Sequence, residues 1–247
     1  MISIITTTKN SAQTIEATLR SVAEQSYQQF EYIVVDGASN DHTMNIIDRY
    51  RPIISHVISE PDTGLYDALN KGIKIASGDY IGILNSDDVY ASKNTLEQVV
   101  EILTAKSVDA LYGDVTYFEG ADPHRVSRYY SSSHFHPSRL KWGLMPAHTS
   151  LFLKADIFRR YGYYKTDYKI AADFEFMCRI FKDQSLHSAY MEEVLIRMKS
   201  GGASTKNLSH KFIIQNELLR ACHENDISTH HAKLLMRYFF KFFDYFR

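Results

Sequence analysis

Tyr80-Ile-Gly-Ile-Leu-Asn-Ser-Asp-Asp-Val-Tyr90 contains an apolar run, Tyr80 to Leu84, that stops at adjacent carboxylates, Asp87 and Asp88. A buried strand that delivers acids to the rim of a sheet has this pattern. Neighbouring carboxylates repel and cost free energy unless a cation or hydrogen-bond donors neutralise them. A divalent metal holding a phosphate is one reason to keep such a pair. A loop capping the following helix is the other, and the rest of the chain has to decide.

Outward from this stretch, strands and helices alternate. Strand-like runs fall at Met1 to Thr8, Tyr32 to Asp36, Ile53 to Ser59, the run ending at Leu84, and Ala110 to Phe118. Helical spacing falls at Ser11 to Gln25, Thr43 to Tyr50, Leu65 to Ala76 and Asn94 to Ala105. This alternation predicts βαβ units and an α/β fold with a mostly parallel central sheet flanked by helices. Ligands of such sheets sit beyond the carboxyl ends of the strands. Thr6, Thr7, Asp36, Asn85, Asp87 and Asp88 all fall there. From Glu119 to Met145 the chain is polar and aromatic without clear period, and reads as a long loop or lid. Beyond it come a strand at Thr149 to Leu153, a short helix at Ala155 to Tyr161, a helix at Ala172 to Phe181 and a strand at Ala189 to Arg197. Two helices, Lys206 to His223 and His231 to Phe246, close the chain. The division is a domain over 1–205 and a C-terminal helical extension over 206–247.

The 247 residues carry a formal net charge of -1, which gives no basis for bulk nucleic-acid binding. The two cysteines, Cys178 and Cys222, form no CxxC and no disulfide framework, in keeping with a reducing compartment. Met1 leads straight into strand-like sequence, and no apolar run approaches the roughly 18 residues of a membrane span. These features predict a cytoplasmic protein.

Each chemical motif has a plain structural alternative. Asp36, before Gly37, suits a base or ribose contact, or equally an Asx-type turn. Neither GxGxxG nor GxxxxGK[ST] occurs. Asp67, Asn70 and Lys71 share one helix face, as a nucleotide contact or as an intrahelical ion pair. Asp173 opens an amphipathic helix, as a general base or as a residue stabilised by the helix dipole. Gly201 and Gly202, within Lys199-Ser-Gly-Gly-Ala-Ser-Thr, close on a phosphate or merely join two elements. His148, after the lid, lines a pocket or is structural, and Trp142 in the lid is a second candidate for acceptor contact. HExxH and GxSxG are missing, so zinc and nucleophilic hydrolase chemistry have little support. The tail from Lys233 to Arg247 is basic and striped with aromatics. It suits an anionic membrane surface, the core, or a second copy of the chain in a homodimer.

Taken in order, five segments resemble the bacterial family 2 glycosyltransferases that build O-antigen and exopolysaccharide. They are Ser3-Ile-Ile-Thr-Thr-Thr-Lys-Asn10, Val34-Val-Asp-Gly-Ala-Ser-Asn-Asp41, Glu60-Pro-Asp-Thr-Gly-Leu-Tyr-Asp-Ala-Leu-Asn-Lys-Gly72, Ala76-Ser-Gly-Asp-Tyr-Ile-Gly-Ile-Leu-Asn-Ser-Asp-Asp88 and Ala172-Asp-Phe-Glu175. The resemblance spans about residues 1 to 205. It implies the GT-A fold, an inverting sugar transfer from a nucleotide-diphosphate donor such as a UDP-sugar, and Mn²⁺ or Mg²⁺ as cofactor. Position by position, Thr6, Thr7, Asp36, Asp67, Lys71, Asn85 and Ser86 would contact the nucleotide. Asp87 would hold the metal with Asp88 beside it, and Asp173 would be the catalytic base. The implied acceptor is a saccharide on a lipid carrier such as undecaprenyl diphosphate, at the inner membrane face, where the enzyme would be peripheral. Asn85 and Ala172 depart from the family, which often has Asp and Glu there. A sugar-nucleotide nucleotidyltransferase and a non-catalytic partner subunit are the rival readings.

Overall fold

The computed structural model describes residues 1–201 and 208–244. The first half is a run of βαβ crossovers: β1 (Ile2–Thr8), α1 (Ile15–Ala23), β2 (Phe30–Asp36), α2 (Thr43–Arg49), β3 (His56–Ser59), α3 (Leu65–Ile75) and β4 (Tyr80–Ile83). A two-residue β5 (Val89–Tyr90) and α4 (Thr95–Lys106) follow. The second half has β6 (Ala110–Phe118), β7 (Val126–Tyr130), β8 (Leu151–Lys154), α5 (Ala155–Tyr161), α6 (Ala172–Phe181), β9 (Ser188–Lys199), α7 (Leu208–Glu224) and α8 (His231–Asp244).

The nine strands among the described residues form one sheet in the order β3-β2-β1-β4-β8-β6-β9-β5, with β7 paired to β6. Strands β3, β2, β1, β4, β6 and β9 run one way, while β8, β5 and β7 run against them. The parallel half follows from residue type. Ile2, Ile4, Ile5, Ile33, Val34 and Val35 are buried on both faces, as strands covered by helices on both sides require.

Two apolar layers flank the sheet. Ile2, Ile4 and Val34 pack with Leu19, Ile47 and Val99 of α1, α2 and α4. On the other face, Ile5 and Val35 pack with Leu69 of α3, Phe158 of α5, Phe176 of α6, Leu218 of α7 and Leu234 of α8. The last two helices thus share the core of the sheet domain. Gly72 sets how closely α3 lies on β1, because a Cβ there would stand 2.7 Å from the Ile5 Cγ2 methyl.

The segment from 119 to 145 is more ordered than its aperiodic sequence suggests. β7 pairs antiparallel with β6, and a 3-10 turn spans Pro137–Trp142. Polar contacts hold it where apolar alternation does not. Asp114 of β6 accepts a hydrogen bond from Ser132 N at 2.6 Å and another from the Tyr129 hydroxyl. Among the described residues no helix is long and apolar enough to cross a membrane.

Candidate active site

A cleft of about 1230 Å³ opens over the carboxyl ends of β1 and β4. Pockets for single drug-sized ligands measure roughly 300–1,000 Å³, and this cleft exceeds that range. The segment Asn85 to Asp88 forms one wall, Thr7, Thr8 and Asp62 to Tyr66 a second. His148, Asp173, Gly201, Lys211 and Arg237 also line it.

At the acidic rim the two neighbours have separate fates. Asp87 is half-buried and lines the cleft. Asp88 is 1% exposed. Its carboxylate accepts from Lys199 N and from Asn85 Nδ2, each at 3.0 Å. Burial, and then the charge of Asp87, push Asp88 up to about 8. Asn85 is intelligible here: an aspartate in its place would exchange an amide donor for a third negative charge. β5 completes the corner, since Val89 and Tyr90 pair with Arg197 and Ile196 and tie the acidic loop to the end of β9.

Asp173 lies in the first turn of α6. Its Oδ1 accepts from Phe174 N at 2.9 Å and from the Tyr66 hydroxyl at 3.3 Å, and its Oδ2 stands 3.4 Å from His148 Nδ1. Burial and the charge of Asp173 push Tyr66 well above the ordinary phenol range, so its hydroxyl keeps its one proton, which goes to the nearer carbonyl of Ile170 with Asp173 Oδ1 as the longer second partner. The turn before α6 is held from another helix: Glu217 of α7 accepts from the backbone N–H groups of Lys169 (2.6 Å), Ile170 (3.0 Å) and Ala171 (2.9 Å). Ala172 is wholly buried in the apolar core, where a glutamate would strand a charge.

The structure therefore brings Thr7, Asn85, Ser86, Asp87, Asp88, His148, Asp173 and Gly201 to one cleft. It places the others elsewhere. Thr6 is fully buried and accepts from the Tyr32 hydroxyl at 3.0 Å, because alternation along β1 turns it to the face of Ile2 and Ile4. Asp36 is fully buried, accepting from Ser39 N at 3.0 Å and from the hydroxyls of Ser39 and Ser59. Asp67 and Lys71 stand 3.8 Å apart and brace the loop that supplies Asp62: Thr63 N donates to Asp67, and Lys71 Nζ to the carbonyl of Pro61. Trp142 lies outside the cleft lining, with the Lys233 ammonium 5.0 Å from its ring centroid. Gly202 lies outside the described residues.

Thr8 and Glu217 were missed in the sequence, and Asp62 was read there only as one of the charges around a helix start. Thr8 reaches the cleft, and its buried hydroxyl has no hydrogen-bond partner among the described residues. Asp62 also reaches it, held by Gly64 N at 3.0 Å. Glu217 was missed because its three partners are backbone amides 46 to 48 residues away. A threonine triplet ending a strand was the available signal for Thr8; nothing local marks Glu217.

Residues 3–185 match the model of glycosyl transferase family 2. The chain belongs to this family. A PGL/p-HBAD biosynthesis glycosyltransferase of Mycobacterium bovis is 30% identical over 218 residues, covering 86% of this chain and 82% of the relative. Among solved structures, Staphylococcus aureus TarS 1-349 in complex with UDP aligns over 96% of this chain and 71% of its own, with TM-score 0.70 and 21% identity. The mannosyltransferase PcManGT of Pyrobaculum calidifontis, in complex with GDP-Man and Mn²⁺, aligns over 93% and 65%, with TM-score 0.68 and 19% identity. The fold of this glycosyltransferase is thus the GT-A type expected from its motifs.

Proposed function

We propose that this glycosyltransferase carries out an inverting transfer from a nucleoside-diphosphate sugar, with a UDP-sugar the favoured donor, to a hydroxyl of a saccharide acceptor. The observation that carries the reading is the meeting in one cleft of an acidic strand terminus, Asp87 and Asp88, with a second carboxylate, Asp173, held by its own partners.

Asp173 acts as the general base. Its Oδ1 is fixed by Phe174 N and Tyr66, which leaves Oδ2, beside His148, to take the acceptor proton. The acceptor oxygen forms the new bond to the anomeric carbon as the bond from that carbon to the diphosphate breaks. The electron pair leaves with the nucleoside diphosphate, so attack from the opposite face inverts the centre. Tyr66 and His148 orient the base.

The rim fits a divalent cation of the Mn²⁺ or Mg²⁺ type in its chemistry: hard oxygen donors, and a like-charge pair whose repulsion a cation relieves. Asp87 would hold it, with Asp88 behind, and the ion would supply positive charge to the departing diphosphate. No group of three or more His, Cys, Asp or Glu side chains assembles a metal site among the described residues, so the diphosphate and water would complete the shell. The threonines at the end of β1 and the backbone near Ser86 face the nucleotide, and Asp36, Asp67 and Lys71 support that wall. In the cell we assign the enzyme to cell-surface polysaccharide synthesis at the inner face of the cytoplasmic membrane. It would work there on a lipid-linked acceptor, with α8 toward the surface, where Leu235, Met236 and Phe239 are exposed.

The test is release of nucleoside diphosphate from a sugar-nucleotide panel. Asp173→Asn is expected to lower turnover by about 10²–10⁴-fold with donor affinity unchanged, and full turnover in that variant would refute the base.

A further inference from the structure

The wall built by α7 and α8 carries a charge that neither the acidic rim nor Asp173 uses. Arg237 lines the cleft yet is only 5% exposed. Its stem is held in place by Gly143, at φ +70°: a Cβ there would stand 3.4 Å from Arg237 Cδ and from methyls of Leu218 and Leu234. Its Nη2 donates to the Tyr238 hydroxyl at 2.8 Å. No carboxylate among the described residues pairs with it. A guanidinium has five N–H donors and a permanent charge, and one phenol satisfies little of either. Burying such a group without an anion is costly, so its position at a cleft wall calls for an anion from outside the chain.

The wall limits what that anion is. With Nη2 turned to Tyr238, the guanidinium keeps a planar edge of N–H donors, and that edge suits the two coplanar oxygens of a carboxylate. A phosphoryl group would bring a third oxygen and most of a second charge against the apolar surface of Met145, Ile214 and Leu218. In the proposed reaction the donor's diphosphate lies at Asp87, on another wall.

Tyr238 describes the anion's carrier. Its oxygen accepts from Arg237, so its own proton can go to the same ligand. Its ring is 43% exposed and lines the cleft beside the guanidinium, which lies 4.7 Å from the ring centroid. A flat apolar face next to a carboxylate fork matches a sugar acid, whose ring offers a C–H face and whose carboxylate projects from the edge. From Gly143 the chain runs through the cleft lining to His148, beside Asp173, so this wall and the base border one space.

We propose that the acceptor is an acidic saccharide, and that Arg237 and Tyr238 bind the carboxylate of one of its uronic-acid residues while that residue's ring lies on Tyr238. This rests on the glycosyltransferase reading and adds a charge requirement on the acceptor sugar itself.

Calorimetric titration of the full chain tests it. The probes are the methyl glycosides of glucuronate, galacturonate and mannuronate, each beside its neutral parent hexoside and that hexoside's 6-phosphate, with UDP plus Mn²⁺ titrated separately. At least one uronate is expected to bind about tenfold more tightly than both its neutral parent and its phosphate, as a charge-assisted pair supplies. Arg237→Met should bring that uronate down to its neutral parent. UDP affinity should be unchanged and the melting temperature no lower, since an uncompensated buried charge has gone. Arg237→Lys should recover only part of the preference, because an ammonium lacks the planar fork. If no uronate is preferred to its neutral parent, or if the preference survives Arg237→Met, the proposal is overturned. A phosphate that binds more tightly than the uronate overturns the carboxylate. A parallel loss of UDP affinity would put the donor's phosphates at Arg237, and a lowered melting temperature would make Arg237 a structural strut; either result refutes the assignment. Failure of wild type to bind UDP strikes instead at the glycosyltransferase reading.

Discussion

Gly37 shows how closely the cleft wall at Asp62 depends on single atoms. A Cβ there would stand 2.0 Å from Asp62 Oδ2 and 3.2 Å from Lys9 Cδ, so only glycine lets the Asp62 carboxylate lie where it does. Gly37→Ala is expected to displace Asp62, cost about 1–3 kcal/mol as overpacking does, and weaken UDP binding in the same titration. Unchanged melting and affinity would mean that Asp62 relaxes freely. Legibility at single residues followed solvent access. Asp87, Asp173 and His148 could be read because strand ends and helix starts face the cleft. Thr6 and Asp36 stand at equally suggestive positions, but the pleat of β1 and the serines around Asp36 turn both inward. Spacing along a chain does not report which groups will satisfy a carboxylate.

Helix α7 does more than cover the core. Glu217 fills the concavity of three successive amides before α6 and so fixes where Asp173 begins. Glu217→Gln puts an amide against those donors, leaving at least one unpaired, which costs about 1–3 kcal/mol. Lower turnover at constant UDP affinity is expected, because the base shifts while the donor wall stays put; a fall in UDP affinity alone would contradict this. A second carboxylate on α7 gives a pH signature. Burial raises Glu224, but hydrogen bonds from Lys165, Arg220 and Tyr168 outweigh it and hold it at about 2, below its ordinary 4.5. The folded form therefore binds this proton less tightly than the unfolded chain does. Its stabilisation is complete above about pH 4.5 and is lost as pH falls toward 2. Glu224→Gln should flatten that part of the acid-denaturation profile, and an unaltered slope would deny the linkage. Strands β1, β2 and β4 and helix α6 were legible because burial on both faces, or amphipathic spacing, marks them. β5 and β7 were not: one has two residues and the other is polar, so partners distant in sequence decide both.

The molecule as a whole brings two surfaces together at Asp173. The strand-end wall with its acidic rim and the α7–α8 wall with Arg237 meet the same cleft. The general architecture was readable because the strand–helix alternation carries it, whereas the second wall depends on how the last two helices fold back onto the sheet. The decisive measurement is the melting temperature of wild type and Asp87→Asn with UDP, GDP and dTDP, each with and without Mn²⁺. A ligand that binds only the native state raises that temperature with its occupancy. We expect one diphosphate to stabilise wild type in a Mn²⁺-dependent way, and Asp87→Asn to lose the Mn²⁺-dependent part while its ligand-free melting is no lower. No stabilisation by any diphosphate, or an equal rise in the variant, would contradict a nucleotide and metal site at this rim.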